Sequence, residues 1–256
     1  MALYSIAYWV FFAASSTLYF VGALLVWLLT LPFDRDRRLL HLYSCLWAQT
    51  EFQVNPLWRL RIDGREKLPW RGPAVIVCNH QSLGDILVLF GLFRPFKWVS
   101  KASVFKVPLL GWNMRLNDYV GLVRGDRESI LRMLDACRTW LSRGVPVLMF
   151  PEGTRSEDGE VKAFKDGAFR LAAELNVPLI PLALTGSADT LPKHGFKITL
   201  RSDCRVRVLE PMLPADFGGS FERLRDEARA RIIEAKRDLD REREQAGFAV
   251  RRPTPA

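Results

Sequence analysis

The chain has 256 residues, 49% of them hydrophobic, with 37 Lys and Arg against 28 Asp and Glu and a formal charge of +9. That length suits one substantial core, or one domain with an appendage. The excess positive charge points to an anionic partner, whether nucleic acid, anionic lipid or a phosphorylated substrate. The four cysteines, Cys45, Cys78, Cys137 and Cys204, form no C-x-x-C pair. This argues against a zinc site or a disulfide framework and fits reduced thiols facing a cytosolic compartment.

The first 33 residues carry no Asp, Glu, Lys or Arg, and Ala2 to Phe33 is an almost unbroken apolar stretch. About 20 such residues suffice to cross a bilayer. The start is uncharged and the run is longer than the apolar region of a signal peptide, so a retained membrane anchor is expected over a cleaved signal. Arg35, Arg37 and Arg38 follow at once. By the positive-inside rule they put residues 34–256 on the cytoplasmic side. The segment is expected either to span the bilayer or to lie in one leaflet.

Arg37 to Trp58 has helical spacing of Leu39, Leu40, Leu42, Tyr43, Leu46 and Trp47. It reads either as an amphipathic helix at the membrane surface or as a helix packed on the main domain. Leu60 to Gly64 alternates like a short strand ending in a turn. Ala74 to Cys78 is a continuous apolar run and reads as a buried strand, with Cys78 as a small core residue. A helix is expected over 84–93, with strands at Lys97–Ser100 and Tyr119–Val123.

Arg127 to Arg143 is helical in pattern, and Gly144 can end it. Val145–Phe150 and Leu179–Leu184 read as further strands around a helix over Phe164–Leu175. Ile198–Leu200 and Val206–Leu209 suggest a late hairpin. Phe221 to Gln245 is a charged helix with a solvated outer face, and residues 251–256 are expected to fray. Strands alternating with helices predict an α/β fold, a central and mostly parallel sheet flanked by helices. The expected organisation is a membrane anchor and amphipathic helix over 1–58, the main domain over 59–220, and a charged helix and tail over 221–256. No Walker-type or G-x-G-x-x-G loop occurs.

Two constellations follow predicted strands, where α/β proteins place their sites. The first is Asn79-His80-Gln81-Ser82-Leu83-Gly84-Asp85. A carboxylate five residues after a histidine can hold one ring nitrogen, fix the tautomer and raise the basicity of the other. Such a pair is a general base without a protein nucleophile of its own, and a substrate hydroxyl can supply one. Taken alone, the same spacing is more often a surface pair. The second is Phe150-Pro151-Glu152-Gly153-Thr154-Arg155-Ser156. It suits an anion-recognition loop, because Arg clasps phosphate in a fork and Gly lets the backbone come close. Gly121-Leu122-Val123-Arg124 is a strand end closing on an Arg, expected beside the strand that leads to His80, and Val177-Pro178-Leu179-Ile180-Pro181 is a strand framed by prolines.

These four motifs, in this order, resemble those of the 1-acyl-glycerol-3-phosphate acyltransferases and their glycerolipid acyltransferase relatives. The N-H-x-x-x-x-D box matches Asn79, His80 and Asp85, and the F-P-E-G-T-R-S box matches Phe150 to Ser156 in full. Gly121 to Arg124 matches the second motif loosely, and Val177 to Pro181 matches the fourth. The resemblance covers about residues 60–210.

It implies acyl transfer from acyl-CoA or acyl-carrier protein to the free hydroxyl of lysophosphatidate, making phosphatidate for phospholipid synthesis. His80 then removes the hydroxyl proton and Asp85 orients His80. Lys101, Arg124 and Arg155 hold the acceptor phosphate within a substrate site that includes Glu152, Gly153 and Thr154. Glu152 is assigned to the glycerol or to an arginine, and backbone N–H groups after Phe150 to the oxyanion. No metal, redox cofactor or covalent acyl-enzyme is needed. The implied partners are the bilayer, the lysophospholipid acceptor and the thioester donor, with no nucleic acid, and the implied place is the cytoplasmic membrane. Two rivals stand beside this reading: an acyltransferase for a lyso-aminolipid or another lysophospholipid, and a non-catalytic membrane-tethered binding protein, which would have no need of His80 beside Asp85.

Overall fold

In the computed structural model, residues 2–156, 158–190 and 197–250 are described. The tail over 251–256, expected to fray, lies outside them. The N-terminal apolar stretch forms one helix, α1 (Ala2–Thr30), long and apolar enough to cross a membrane. After a turn comes α2 (Arg38–Gln53). The carboxylate of Asp34 starts it, accepting from the backbone N–H of Arg38 at 2.8 Å and of Leu39 at 2.9 Å. These are N–H groups that no helical carbonyl can satisfy.

Of the two readings of this helix, the structure favours packing on the domain. Leu40, Cys45, Ala48 and Phe52 are buried, while Leu39 and Leu46 on the other side stay exposed. α1 lies along α2 through a polar seam. Tyr8 donates to the Glu51 carbonyl at 3.2 Å, Trp47 Nε1 donates to Ser16 at 3.2 Å, and the hydroxyls of Tyr19 and Thr50 meet at 2.6 Å.

The strands are β1 (Trp58–Asp63), β2 (Val75–Cys78), β3 (Lys97–Lys101), β4 (Val120–Leu122), β5 (Val147–Met149), β6 (Leu179–Thr185) and β7 (Ser202–Val208). Between them run α3 (Gly84–Phe90), α4 (Leu110–Leu116), α5 (Arg127–Ser142) and α6 (Gly167–Leu175), and α7 (Phe221–Gln245) follows. The sheet order is β1-β7-β6-β2-β5-β3-β4. Neighbours are parallel except β6 and β7. The fold is therefore α/β with a mostly parallel sheet.

β2 lies at the centre, and its apolar run has a simple cause. Ile76 and Cys78 point into a core shared with α2 and α3, and Val75 and Val77 into a core shared with α5, α6 and α7. A strand covered on both faces has no need of a polar alternation.

Three expectations change. The late hairpin does not form: residues 198–200 are not in a strand, and β7 pairs parallel with β1 and antiparallel with β6. β4 is an edge strand separated from β2 by β5 and β3, whereas Arg124 was expected to end a strand beside that of His80. A three-residue strand with exposed Gly121 carries too little apolar pattern to reveal its neighbour. Finally, α7 is not only a solvated charged face. Leu224, Ala228, Ile232, Ala235 and Leu239 form a narrow stripe, all buried, in the same core as β5 and β6. The charges between them hide that stripe in a composition count.

Candidate active site

β2 ends at Cys78, and the chain turns into α3 through Asn79 to Leu83. Asn79 extends the β2–β6 pairing past the strand. Its side chain donates to the Leu184 carbonyl at 2.9 Å and accepts from the Leu184 N–H at 2.8 Å. This fixes the point from which His80 projects.

His80 Nδ1 lies 2.6 Å from Asp85 Oδ2, and Asp85 is fully buried. The same oxygen accepts from the N–H groups of Gln81 at 2.7 Å and Ser82 at 3.1 Å. A carboxylate so placed is an acceptor, so Nδ1 carries the proton and Nε2 presents its lone pair. Among the described residues, no hydrogen bond to Nε2 is formed. The imidazole stacks on the Phe150 ring, with centroids 3.9 Å apart and planes 15° apart. Trp98 stacks on Phe150 in turn.

The Phe150–Ser156 segment leaves the end of β5, next to β2, and is stitched to the main chain of His80 on both sides. Glu152 Oε1 accepts from the His80 N–H at 2.7 Å, and the Ser156 N–H donates to the His80 carbonyl at 2.8 Å. The other Glu152 oxygen accepts from the Lys162 N–H at 2.9 Å. Burial pushes the Glu152 carboxyl up, while the N–H groups of Lys162 and His80 pull it back. Glu152, expected on the glycerol or an arginine, thus spends both oxygens on backbone and braces the loop that carries His80.

Gly153 sits at φ +68, and a Cβ there would come within 2.8 Å of Lys165. It makes the turn that brings Arg155 round. Thr154 is exposed. Arg155 is partly buried, and its Nη1 is buried with no hydrogen-bond partner among the described residues. A buried guanidinium donor without a partner suits an anion.

The acyltransferase family profile matches residues 59–185, which include both boxes. A 1-acyl-sn-glycerol-3-phosphate acyltransferase of Chlamydomonas reinhardtii is 43% identical over 197 residues, covering 76% of this chain and 58% of its own length. The chloroplastic 1-acyl-sn-glycerol-3-phosphate acyltransferase LPAT1 of Arabidopsis thaliana is 38% identical over 207 residues, covering 80% of this chain and 56% of its own. Residues 59–185 form an acyltransferase-family domain. The chain spans less than two thirds of those relatives. Its fold matches the crystal structure of the 1-acyl-sn-glycerophosphate acyltransferase PlsC from Thermotoga maritima, with a TM-score of 0.76 and 26% identity, over 93% of this chain and 97% of that one.

Within this acyltransferase fold, the remaining cations come from the far edge of the sheet. Arg124 follows β4, and its pKa is lowered first by burial and then by the charge of Arg155. The two guanidinium groups therefore feel each other although the strands that lead to them are not neighbours. Lys101 closes β3, in register with Leu122 of β4, and is exposed at the rim. Val177 to Pro181 leads into β6 and is sheet packing: Leu179 and Ile180 are buried beside Val75 and Ile76.

The structure adds residues that the motifs did not single out. Asn79 was visible only as part of the first box, yet its bonds to Leu184 define the site. Ser187, in a short 3-10 turn Ser187–Asp189 after β6, donates from Oγ to Asp85 Oδ1. A serine more than a hundred residues from its partner, in an unremarked Gly-Ser pair, leaves no local signal.

Proposed function

We propose that this acyltransferase moves a fatty acyl group from an acyl thioester, acyl-CoA or acyl-carrier protein, to the free hydroxyl of lysophosphatidate, giving phosphatidate. The observation that carries the reading is His80 held through Nδ1 by buried Asp85, with no hydrogen bond to Nε2 among the described residues and the Arg155 loop beside it.

Nε2 takes the hydroxyl proton of the acceptor as its oxygen attacks the thioester carbonyl. The tetrahedral intermediate collapses with rupture of the C–S bond. The proton on Nε2 passes to the departing sulfur, so the products are ester and free thiol, and the histidine is returned neutral. The acceptor hydroxyl is the nucleophile, and the reaction as written requires no metal or redox cofactor. Arg155, Arg124 and Lys101 receive the acceptor phosphate, and the Arg155 fork makes the firmest of these contacts.

α1 serves as the membrane anchor. Its seam with α2 faces the domain, and Leu3, Ile6, Val10, Leu18, Val21, Leu25 and Leu28 face outward. A helix bonded to α2 from Tyr8 to Tyr19 is held against the domain and lies in the leaflet that the domain touches. Arg35, Arg37 and Arg38 favour the cytoplasmic side of the cytoplasmic membrane.

The phosphate assignment is tested by steady-state kinetics on Arg155→Lys and Arg124→Lys with lysophosphatidate and with a neutral lyso-acceptor. A hydrogen bond to a charged group is worth about 1.5–3 kcal/mol, so the phosphorylated acceptor should lose roughly tenfold to a hundredfold in kcat/KM through KM. The neutral acceptor, poor for the parent, should be nearly indifferent. Equal losses on both would move the phosphate site elsewhere.

A further inference from the structure

We propose that Ser187 is a positioning residue of the His80–Asp85 pair: its hydroxyl holds the second oxygen of the Asp85 carboxylate and so sets the orientation and the charge that His80 faces. The proposal rests on the general-base role of His80.

The geometry of Asp85 divides its two oxygens between two parts of the chain. Oδ2 gathers local donors, His80 Nδ1 and the N–H groups of Gln81 and Ser82. Oδ1 receives the Ser187 hydroxyl, from the turn beyond β6. Local donors anchor one oxygen and leave the other without a partner of its own. A donor on the other oxygen, from a separate element, fixes the plane.

Ser187 is itself fully buried and firmly placed. Gly186 before it takes φ +84, and a Cβ there would strike the Asp203 carbonyl at 2.2 Å. Thr190 Oγ1 donates to the Ser187 carbonyl at 2.6 Å. Asp189 in the same turn pairs with Arg243 of α7 at 2.5 Å, and Arg243 Nε donates to the Asp203 carbonyl at 2.8 Å. On the other side, Gly84 lets α3 approach so closely that a Cβ would meet Thr190 Oγ1 at 2.1 Å and the Ser187 carbonyl at 2.6 Å. The turn is thus locked against the start of the helix that carries Asp85, and the hydroxyl has a rigid mount on both sides.

Ser187→Ala removes one oxygen and leaves this frame in place. The carboxylate then loses a donor, concentrates its charge on the oxygen facing His80, and favours the imidazolium. Glu152, Cys78 and Cys204, the other ionisable groups whose pKa responds to Asp85, are left intact. Since the base works when neutral, the acid limb of the kcat/KM profile should move to higher pH. Only part of the lost bond's worth reaches the imidazole, so the shift expected is roughly half a unit to one unit. On the plateau, kcat/KM should fall roughly tenfold to a hundredfold, the range for a hydrogen bond to a charged group.

The test is the pH profile of thiol release for the parent, Ser187→Ala, Asp85→Asn and the double variant, each with circular dichroism matching the parent. Ser187→Cys, which keeps a weaker donor, replaces alanine if alanine does not fold. The proposal expects the shifted limb and, in the Asp85→Asn background, a further loss of less than about twofold, because the serine acts through the aspartate. An unmoved limb with losses that multiply would overturn it and leave Ser187 a packing residue. A parent with no acid limb, or active His80→Ala, would instead overturn the general-base reading beneath it.

Discussion

Glu152 shows how a residue's type can be read from sequence while its task is not. A Glu in a loop beside an Arg suggests a salt bridge or a substrate contact, and the structure gives it two backbone N–H groups instead. Those bonds span 72 and 10 residues of sequence, so no local pattern carries them. Glu152→Gln keeps one acceptor but turns an amide NH2 toward the second N–H. Leaving a buried donor unpaired costs about 1–3 kcal/mol, so the melting temperature should drop and kcat should fall as the His80 loop slackens. The acceptor KM should hold. A raised KM with unchanged kcat would return Glu152 to the substrate. His80 and Asp85 were legible because their bond is local, five residues long, and follows a strand recognisable by its apolar run. Ser187 was not, because its bond to Asp85 is made by the fold alone.

At the scale of elements, the sequence was most legible where burial is apolar. β2 and α5 stand where their patterns predict them, because an unbroken apolar run and a helical apolar face are read directly. β7 was missed over its first half because Ser202-Asp203-Cys204-Arg205 looks like an exposed turn. It is buried because Arg205 pairs with Asp203 at 2.7 Å and with Glu242 of α7 at 2.6 Å. The charges that made both elements look solvated are the ones that join them.

A similar polar contact sits in the α1–α2 seam and gives a pH signature. Burial pushes the Glu51 carboxyl from 4.5 to about 7, against the pull of Ser15, Trp47 and Ser16. Between those values the folded chain keeps a proton that the unfolded chain has released, so this residue's contribution to stability falls as pH rises. Thermal melts of detergent-solubilised parent and Glu51→Gln should coincide near pH 4. They should diverge through that window and stay apart at pH 8, with the variant melting higher. Parallel melting temperatures across the whole range would mean that Glu51 ionises freely in the folded state.

For the whole molecule, the charge of +9 and the apolar α1 have separate consequences at a membrane. Salt screens exposed charge within a Debye length of about 3 Å at 1 M, whereas apolar burial is undiminished by it. Membranes carrying the protein should therefore retain it through a 1 M salt wash and release it to detergent. A chain lacking residues 1–33 should be released far more readily by salt. Release of the full chain by salt alone would assign membrane binding to the basic surface and not to α1.

The catalytic account makes His80 the base and the acceptor hydroxyl the nucleophile, with no acyl group resting on the protein. Stopped-flow thiol release from an acyl thioester, measured with and without lysophosphatidate in parent and His80→Ala, tests this most directly. Thiol should appear only when acceptor and His80 are both present. Loss of a triad-like base typically removes on the order of 10⁴–10⁶ in rate, so the folded variant should sit near the uncatalysed background. A stoichiometric burst of thiol without acceptor, or normal turnover by His80→Ala, would contradict the account.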